Sequence, residues 1–312
     1  MKLALAGDTM LGRGVAERIA TQGPDSLFAP ELVAAVGEAD LCVLNLECCI
    51  SERGAPAPGK VFHFRAPPAA AEALAHLGVD CVTLANNHAL DFGPTALLDT
   101  FAHLESAGIA WVGAGADLDR ARAPAVLEAR GYRLAVIAVT DHPADYAAAP
   151  RRPGVAFADL WRRHLPDWLP EATRGLQADA LVTPHWGPNM LAEATAHVRA
   201  TARALLEAGA MLIAGHSAHV FHGLDRRVLY DLGDFLDDYA VNPKLRNDLG
   251  LLFLVDLDGS RLEAIPLKLE FAHTRLAEGD DAAWVRHRFH EACAVFGTEV
   301  ADEDGRLVAR WR

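Results

Sequence analysis

Short apolar runs alternate with alanine-rich stretches of helical period along most of this chain, and this alternation limits the folds open to it. Runs typical of buried strands cover 2–7, 41–46, 80–85, 133–140, 180–184, 211–215, 227–232, 251–257 and 261–269. Helical patterns cover 31–39, 68–78, 94–108 and 191–209. Strands that alternate with helices predict an α/β protein with much parallel pairing. The late strands, from about 227 to 269, follow one another without helices and predict antiparallel hairpins.

The same pattern predicts one main domain with an extension. With 312 residues, 51% of them hydrophobic, the chain can bury a large core. We expect residues 1–270 to form the main domain and residues 271–312 to form a C-terminal helical appendage packed on it. The proline-containing region 141–175 is a candidate lid or insertion, with a plain surface loop as the alternative.

Composition bears on the partners and the compartment. A net charge of −13, from 42 acidic and 29 basic residues, argues against a nucleic-acid partner but permits a local basic pocket for a small anion. No run reaches the roughly 20 apolar residues of a membrane span, and the N-terminal run is too short for a signal peptide. Five cysteines without a CxxC pair predict no disulfide. We therefore expect a cytoplasmic protein without a membrane anchor.

Polar side chains follow the predicted strands at the point where each strand ends. They occur in AGDTMLGR, LNLE, ANNH, TPHWG and AGHSAHV, and they are Asp8, Glu47, Asn87, His88, His185, His216 and His219. Each one alone has a structural explanation, such as a helix cap or a turn. Together they should converge, because ligands bind at the carboxyl edge of open α/β sheets. The set therefore predicts a binding site at that edge.

The donor types in this set point to a transition-metal site. Carboxylates, an amide and imidazoles suit Mn²⁺ first, with Zn²⁺ or Fe²⁺ as alternatives, rather than an all-oxygen Ca²⁺ cage or a thiolate zinc site. Either Asp8 or Glu47 could bridge two cations. Paired metals roughly 3.5–4 Å apart activate water and clamp both oxygens of a displacement. We expect one or two divalent ions here.

Eight segments occur in an order that identifies a family resemblance. They are GDTMLGR (7–13), NLE (45–47), FHFRAP (62–67), LANNHALDFGPTALLDT (84–100), GAG (113–115), HWG (185–187), GHSAHV (215–220) and LGDF (232–235). This series, which spans most of residues 1–257, resembles the CapA family of poly-γ-glutamate capsule-synthesis proteins, a relative of the calcineurin-like metallophosphoesterases. The resemblance implies a four-layer α/β/β/α sandwich of the metallophosphatase type, with a metal site at one edge of the sheets.

The resemblance also implies roles for individual residues. It suggests six metal ligands, which are Asp8, Glu47, Asn87, His185, His216 and His219. It makes His88 the general acid that protonates the leaving group. Asp91 then either orients His88 as its carboxylate partner or caps the helix that begins near Gly93.

The chain departs from the metallophosphoesterase pattern at three points. Met10 replaces the histidine of the first Asp-x-His motif, and because a thioether is a poor Mn²⁺ ligand, one metal position is short of a donor. The last motif is one residue longer than Gly-His-x-His, so either His219 or His222 is its second ligand. Asp234 stands where many CapA-like proteins carry asparagine, a change expected to affect the substrate and to leave the metal set intact.

Four further residues are candidates for substrate binding. Arg65 and Arg13 are predicted anion binders, because a guanidinium matches a carboxylate or phosphate bidentately, with a surface ion pair as the alternative. Trp186 is a candidate pocket wall, with core packing as the alternative. Asn86 is a candidate substrate contact, with a turn as the alternative.

These observations favour a metal-dependent hydrolase. Metal-activated water would attack a phosphoester, or an amide of a small or polymeric anionic substrate that includes γ-glutamyl compounds, and His88 would donate the proton. The alternative is a non-catalytic component that binds poly-γ-glutamate or assists its synthesis. A third hypothesis, ligation or group transfer on a small acidic metabolite, has less support because the chain has no GxxxxGK[ST] loop.

Overall fold

The structure, a computed structural model, describes residues 1–162, 164–174, 176–258 and 260–311. Arg312, the last residue of the predicted C-terminal segment, lies outside the described residues. Within them the helices are α1 (Arg13–Gln22), α2 (Pro30–Val36), α3 (Ala70–Leu77), α4 (Gly93–Ser106), α5 (Leu118–Arg122), α6 (Trp168–Arg174), α7 (Ala196–Ala208) and α8 (Gly279–Ala294). Two short 3₁₀ turns cover Pro24–Ser26 and Ala144–Tyr146.

The strands of the described residues are numbered in chain order. They are β1 (Lys2–Thr9), β2 (Leu41–Leu46), β3 (Cys49–Ile50), β4 (Arg65–Ala66), β5 (Cys81–Thr83), β6 (Ala110–Val112), β7 (Ala114–Gly115), β8 (Ala125–Ala129), β9 (Tyr132–Thr140), β10 (Gly154–Val155), β11 (Asp179–His185), β12 (Leu212–Ala214), β13 (Leu224–Asp225), β14 (Val228–Leu229), β15 (Asp234–Leu236), β16 (Leu249–Asp256), β17 (Arg261–Glu270), β18 (His273–Leu276), β19 (Val300–Glu303) and β20 (Arg306–Arg310).

Most of these strands belong to two large sheets, each with a parallel centre. The larger sheet has the order β19-β20-β17-β16-β1-β2-β5-β6, with β15 beside β1 and β18 beside β17, and the smaller has the order β13-β14-β12-β11-β9-β8. Strands β1, β2, β5 and β6 run parallel, as do β9, β11, β12 and β14. The predicted hairpin of β16 and β17 is confirmed. Two of the late strands depart from the antiparallel prediction, since β14 pairs in parallel with β12 and β15 pairs in parallel with β1.

Three buried apolar clusters confirm the four-layer α/β/β/α architecture. One cluster lies between the sheets and contains Leu5 of β1 and Val136 of β9. A second joins the larger sheet to its helices and contains Leu44 and Leu97. The third joins the smaller sheet to α7 and contains Leu205. Full burial of such side chains stabilises the fold by about 1.5–3 kcal/mol each.

The segment after residue 270 contributes to both the helical and the sheet structure. Helix α8 buries Val285 and Phe289 in the cluster between the sheets. Strand β20 pairs antiparallel with β17, and β19 pairs with β20, so the segment extends the larger sheet. No helix among the described residues is both long enough and apolar enough to span a bilayer.

A close backbone approach fixes the end of β1 where the polar residues gather. The amide of Asp8 donates to the carbonyl of Gly233 at 2.9 Å. A Cβ on Gly7 would lie only 1.9 Å from that carbonyl oxygen, and Gly233 itself has a φ of +76°. Glycine is therefore required at both positions for β1 to meet the turn that leads into β15.

We expect Gly7→Ala to lower the free energy of unfolding by roughly 1–3 kcal/mol, because the added methyl group must displace packed backbone. Gly37→Ala is the matched control, since its Cβ would make an ordinary contact of 3.4 Å with Val33 O and its φ is −64°. Urea unfolding followed by circular dichroism measures both. Equal midpoints for the two variants would contradict the argument.

Candidate metal centre

The carboxyl ends of parallel strands from both sheets meet at one edge. Asp8 lies near the end of β1 and Glu47 directly follows β2, while His185 ends β11 in the other sheet. His185 Nε2 lies 2.8 Å from Glu47 Oε1, so this contact joins the two sheets. His185 and His216 also form an isolated parallel bridge, which places the last histidine motif beside β11.

Asp8 belongs to two groups of potential ligands. In the first, single donor atoms of Asp8, Glu47 and His185 all lie within 4.8 Å of one another. In the second, the same holds for Asp8, His219 and Asp234. A carboxylate with two oxygens can serve two cations, so the geometry is compatible with one ion or two.

Several donor atoms at this site are buried and have no hydrogen-bond partner within the described chain. They are Glu47 Oε2, Asn87 Oδ1, His185 Nδ1 and Asp234 Oδ2. Buried polar atoms are almost always paired, because an unpaired one costs about 1–3 kcal/mol. Four such atoms in one place are the pattern expected of a site that can hold a ligand.

Charge gives the same indication. Asp8, Glu47, Asp231 and Asp234 are all buried, and within the described residues no lysine or arginine forms an ion pair with any of them. Burial raises the pKa of Glu47, and the neighbouring charge of Asp8 adds to this increase. Burial would also raise the pKa of Asp8, but the hydrogen bond from His216 and the charges of nearby histidines hold it below its usual range. Asp8, Glu47 and Asp234 have histidines as their ion-pair partners instead, and all three belong to groups that could hold a metal ion.

The histidines respond to the same surroundings in opposite ways. Burial lowers the pKa of His185 well below its ordinary value, and His142 contributes to this decrease, so the ring is neutral and able to donate a lone pair. Burial would lower the pKa of His219 as well, but Asp234, Glu47 and Asp8 raise it well above its ordinary value. His219 Nδ1 lies 2.8 Å from Asp234 Oδ1.

The residues present therefore fit a divalent cation. The donor set comprises carboxylate oxygens and neutral imidazole nitrogens, the mixture preferred by Mn²⁺, Zn²⁺ and Fe²⁺. His216 Nδ1 lies 3.0 Å from Asp8 Oδ1, and Asn45 Nδ2 donates to the same oxygen at 2.8 Å. These two contacts hold the shared carboxylate in place.

His88 forms a dyad with Asp91 beside this centre. Asp91 Oδ2 lies 2.7 Å from His88 Nδ1 and accepts a hydrogen bond from the amide of Phe64 at 2.8 Å. Helix α4 begins at Gly93 after an N-cap at Phe92, so the Asp91 side chain faces the histidine and does not cap the helix. Asn86 Oδ1 accepts a hydrogen bond from the amide of His88 at 3.0 Å.

Lys60, which the sequence analysis did not single out, completes this dyad. Its ammonium forms an ion pair with Asp91 and donates to the carbonyl of Asn87, and it lies 3.2 Å from His88 Nδ1. Burial lowers the pKa of His88, Asp91 opposes this effect, and the Lys60 charge adds to the decrease. Lys60, His88 and Asp91 therefore form one connected group.

Neither predicted anion-binding arginine contacts the metal-centre residues. Arg13 forms an ion pair with Asp238 at 2.6 Å, and its guanidinium lies over the rings of Phe62, Phe64 and Tyr239. Arg65 lies over the ring of Phe92 and donates to the carbonyl of Arg53. Arg13 is connected to the site through Phe64, whose ring is tilted against that of His88 with the centroids 4.2 Å apart.

Two other predicted substrate contacts lie in the interior. Trp186 is only 3% exposed, packs in the third apolar cluster and donates to the carbonyl of Tyr230, so core packing is correct for it. Asn86 is fully buried, and its amide donates to Asn45 Oδ1 and to the carbonyl of Leu46. Both side chains have their hydrogen bonds satisfied by the protein and are not placed to meet a substrate.

The structure distinguishes His219 from His222 and shows where Met10 and Asp234 lie. His222 binds the carbonyl of Leu191 through Nε2, whereas His219 is in a ligand group. The sulfur of Met10 accepts from the amide of Gly12 in the core and offers no donor. The expectation that Asp234 leaves the metal set intact stays a prediction, but Asp234 itself lies among the potential ligands. Strand β15 places it in register with Asp8, where its carboxylate takes part in the second group.

A cavity of ≈ 400 Å³ opens over the centre. It is lined by Asn87, Asp141, His142, Trp161, His185, Gly187, Pro188, Asn189, Ser217 and His219. Asp141 and His142, which follow β9, form a second dyad through His142 Nδ1. The rule that identified Asp8 and His185 as strand-end residues applies equally to these two, and it could have found them.

The chain is similar to known proteins in both structure and sequence. A hypothetical protein from Thermus thermophilus, known from its crystal structure, is 17% identical with a TM-score of 0.45, over 88% of this chain and 96% of its own. A probable polyglutamine synthesis accessory protein of Mycobacterium tuberculosis is 30% identical over 97% of this chain and 94% of its own length.

Two Bacillus proteins extend the comparison. The capsule biosynthesis protein CapA of Bacillus anthracis is 25% identical over 86% of this chain and 68% of its own, and the PGA biosynthesis protein CapA of Bacillus subtilis is 28% identical over 87% and 72%. The sequence profile described as bacterial capsule synthesis protein PGA_cap matches residues 2–239. Given this match over most of its length, the chain belongs to the bacterial capsule synthesis protein (PGA_cap, or CapA) family.

Proposed function

We propose that this protein is a metal-dependent hydrolase whose centre is built on Asp8. The observation that carries the proposal is the sharing of Asp8 by two buried donor groups, one with Glu47 and His185 and one with His219 and Asp234. Unpaired donor atoms in these groups support it. A bound divalent cation would supply Lewis-acid chemistry here, activating water and stabilising negative charge on the substrate.

The chain's own residues supply the proton transfer. Asp91 accepts from His88 Nδ1 and thereby fixes the tautomer and the ring orientation, which leaves Nε2 to carry the proton for the leaving group. The lowered pKa of His88 makes the protonated ring a stronger acid. Lys60 holds Asp91 from its other oxygen, so the carboxylate cannot rotate away from the histidine.

The substrate we propose is anionic and carries a phosphoester or an amide. The relatives are named for the synthesis of polyglutamine, of PGA and of a capsule, and the first of these names supports an amide-linked substrate. The cavity over the centre has both donors and acceptors, including His142 and Asn189. An amide of a γ-glutamyl compound is the first candidate.

A second candidate function is binding without cleavage. The Mycobacterium tuberculosis relative is named an accessory protein of polyglutamine synthesis, which favours an assisting role without catalysis. On this hypothesis the centre would hold the polymer, and the dyad of His88 and Asp91 would have no chemical task. Turnover assays separate the two functions.

The first prediction concerns metal content after Mn²⁺ or Zn²⁺ loading and gel filtration. We expect near-stoichiometric metal in the wild-type protein and almost none in Asp8→Asn. Asp234→Asn should either lose the weaker of two ions or bind a single ion about tenfold less tightly. Asp225→Asn, which alters an aspartate bonded to Tyr230 outside the centre, is the control. Inductively coupled plasma mass spectrometry gives the counts, and an unchanged count in Asp8→Asn would refute the centre.

The second prediction concerns catalysis. With Mn²⁺ bound, we expect His88→Ala to reduce kcat about 10²–10⁴-fold on the best of phosphodiester, phosphomonoester and γ-glutamyl substrates, with no change in metal content. His287→Ala, an exposed histidine on α8, should retain full activity. Full activity in His88→Ala would exclude the acid role. Metal-loaded wild-type protein without turnover on any substrate would favour binding alone.

The third prediction concerns pH. His219 must lose its proton before it can donate to a cation, and its pKa is raised above the ordinary value. Metal affinity should therefore increase as the pH rises through that raised pKa, and binding should release a proton. Isothermal titration calorimetry in buffers of different ionisation enthalpy measures the release. In His219→Gln the released proton should be absent, and a release of equal size would contradict the assignment.

A further inference from the structure

A second cavity adjoins the one over the metal centre. It has a volume of ≈ 600 Å³, and Asn87 and His142 line both cavities, so the two adjoin and are together called the cleft. Leu90 and several prolines supply apolar wall, and the charged lining residues are Lys60, Asp145 and Arg152. The proposed catalytic chemistry leaves this half of the cleft without a role.

The charges in this cavity differ in whether they are already paired. Lys60 is committed to Asp91. Arg152 donates to the carbonyl of Ala147 at 2.8 Å, and within the described chain neither it nor Asp145 forms an ion pair of 4.0 Å or less. Among the described residues, the cavity thus presents one guanidinium and one carboxylate without an ion-pair partner, both on exposed residues. Asp145 lies in the 3₁₀ turn Ala144–Tyr146, and Arg152 follows it after the buried Ala148.

We propose that this second cavity binds the zwitterionic head group of an α-amino acid, with Arg152 on the carboxylate and Asp145 on the ammonium group. A guanidinium matches a carboxylate bidentately, and a carboxylate is the natural partner of an ammonium. A plain dianion would be repelled by Asp145, and a plain cation would be repelled by Arg152 and Lys60. A ligand with both charges is the one class that both residues favour.

This inference rests on the proposed function in one respect, which is that the head group belongs to the substrate processed at the metal centre. A residue with both a free α-ammonium and a free α-carboxylate occurs in a free amino acid and at the amino end of a γ-linked chain, but not inside that chain. The cleft would therefore select substrate ends over chain interiors. The amide next to that end would extend past Asn87 and His142 toward the donors of the first cavity.

The test measures binding, not turnover. The probes are L-glutamate, N-acetyl-L-glutamate, which lacks the ammonium, and the α-amide of glutamate, which lacks the α-carboxylate. They are titrated into the full chain without added metal and followed by saturation-transfer NMR. We expect Arg152→Gln to weaken L-glutamate binding about tenfold and to leave the α-amide unaffected. Asp145→Asn should weaken L-glutamate similarly and should strengthen binding of the N-acetyl compound, a dianion that Asp145 repels.

Two control variants remove the same charges at positions outside the cavity lining. Arg151→Gln alters the neighbouring exposed arginine, and Asp304→Asn alters an exposed aspartate in a turn of positive φ that asparagine tolerates. Both should bind every probe as the wild-type protein does. The proposal is overturned if wild-type protein binds no probe, or if Arg152→Gln and Asp145→Asn affect all three probes alike.

Because this assay needs no turnover, its outcome is separable from that of the hydrolase proposal. Probe-specific losses in a protein that cleaves nothing would support the subsite and exclude hydrolysis. Turnover that depends on His88, without probe-specific losses, would support hydrolysis and exclude the subsite.

Discussion

The rest of the site depends on the hydrogen bonds that hold Asp8 at the end of β1. Its amide is held by Gly233, and its carboxylate is held by Asn45 and His216, so both ends of the residue are fixed. Asn45 in turn accepts from Thr83 and Asn86. One buried chain of hydrogen bonds therefore connects the ends of β1, β2 and β5 and sets the position of the loop that carries His88.

A fold that buries carboxylates without lysine or arginine must recover the cost of their desolvation elsewhere. The two sheets supply the rigidity, since Glu47 and His185 approach from opposite sheets and cannot move apart without separating the apolar cluster between them. Much of the stability of the sandwich comes from that cluster. The positions of the potential ligands are consequently set by core packing. Gly7 contributes because it allows the end of β1 to approach Gly233 closely.

The architecture and four of the five residues in the two potential ligand groups could be predicted, largely because both follow from strand periodicity. Asp8, Glu47 and His185 end strands, and parallel strands end at one edge. The rest depends on pairing that no local pattern shows. Asp234 reaches the centre because β15 pairs in parallel with β1, and Lys60 reaches His88 across a loop. Arg65 and Trp186 were misplaced because a motif position does not reveal which way a side chain faces.

The two departures at Met10 and Asp234 change the charge of the candidate centre. A neutral histidine at position 10 would add no charge, whereas Asp234 adds a buried carboxylate to Asp8 and Glu47. Among the nearby basic groups, Arg13 is paired with Asp238 and Lys60 with Asp91, so the partner of Asp234 is His219. A cation that takes the place of the His219 proton would leave more positive charge at the centre than that proton does. If the centre holds a divalent cation as proposed, metal binding and anion binding would be linked, and each would raise the affinity for the other by the same factor.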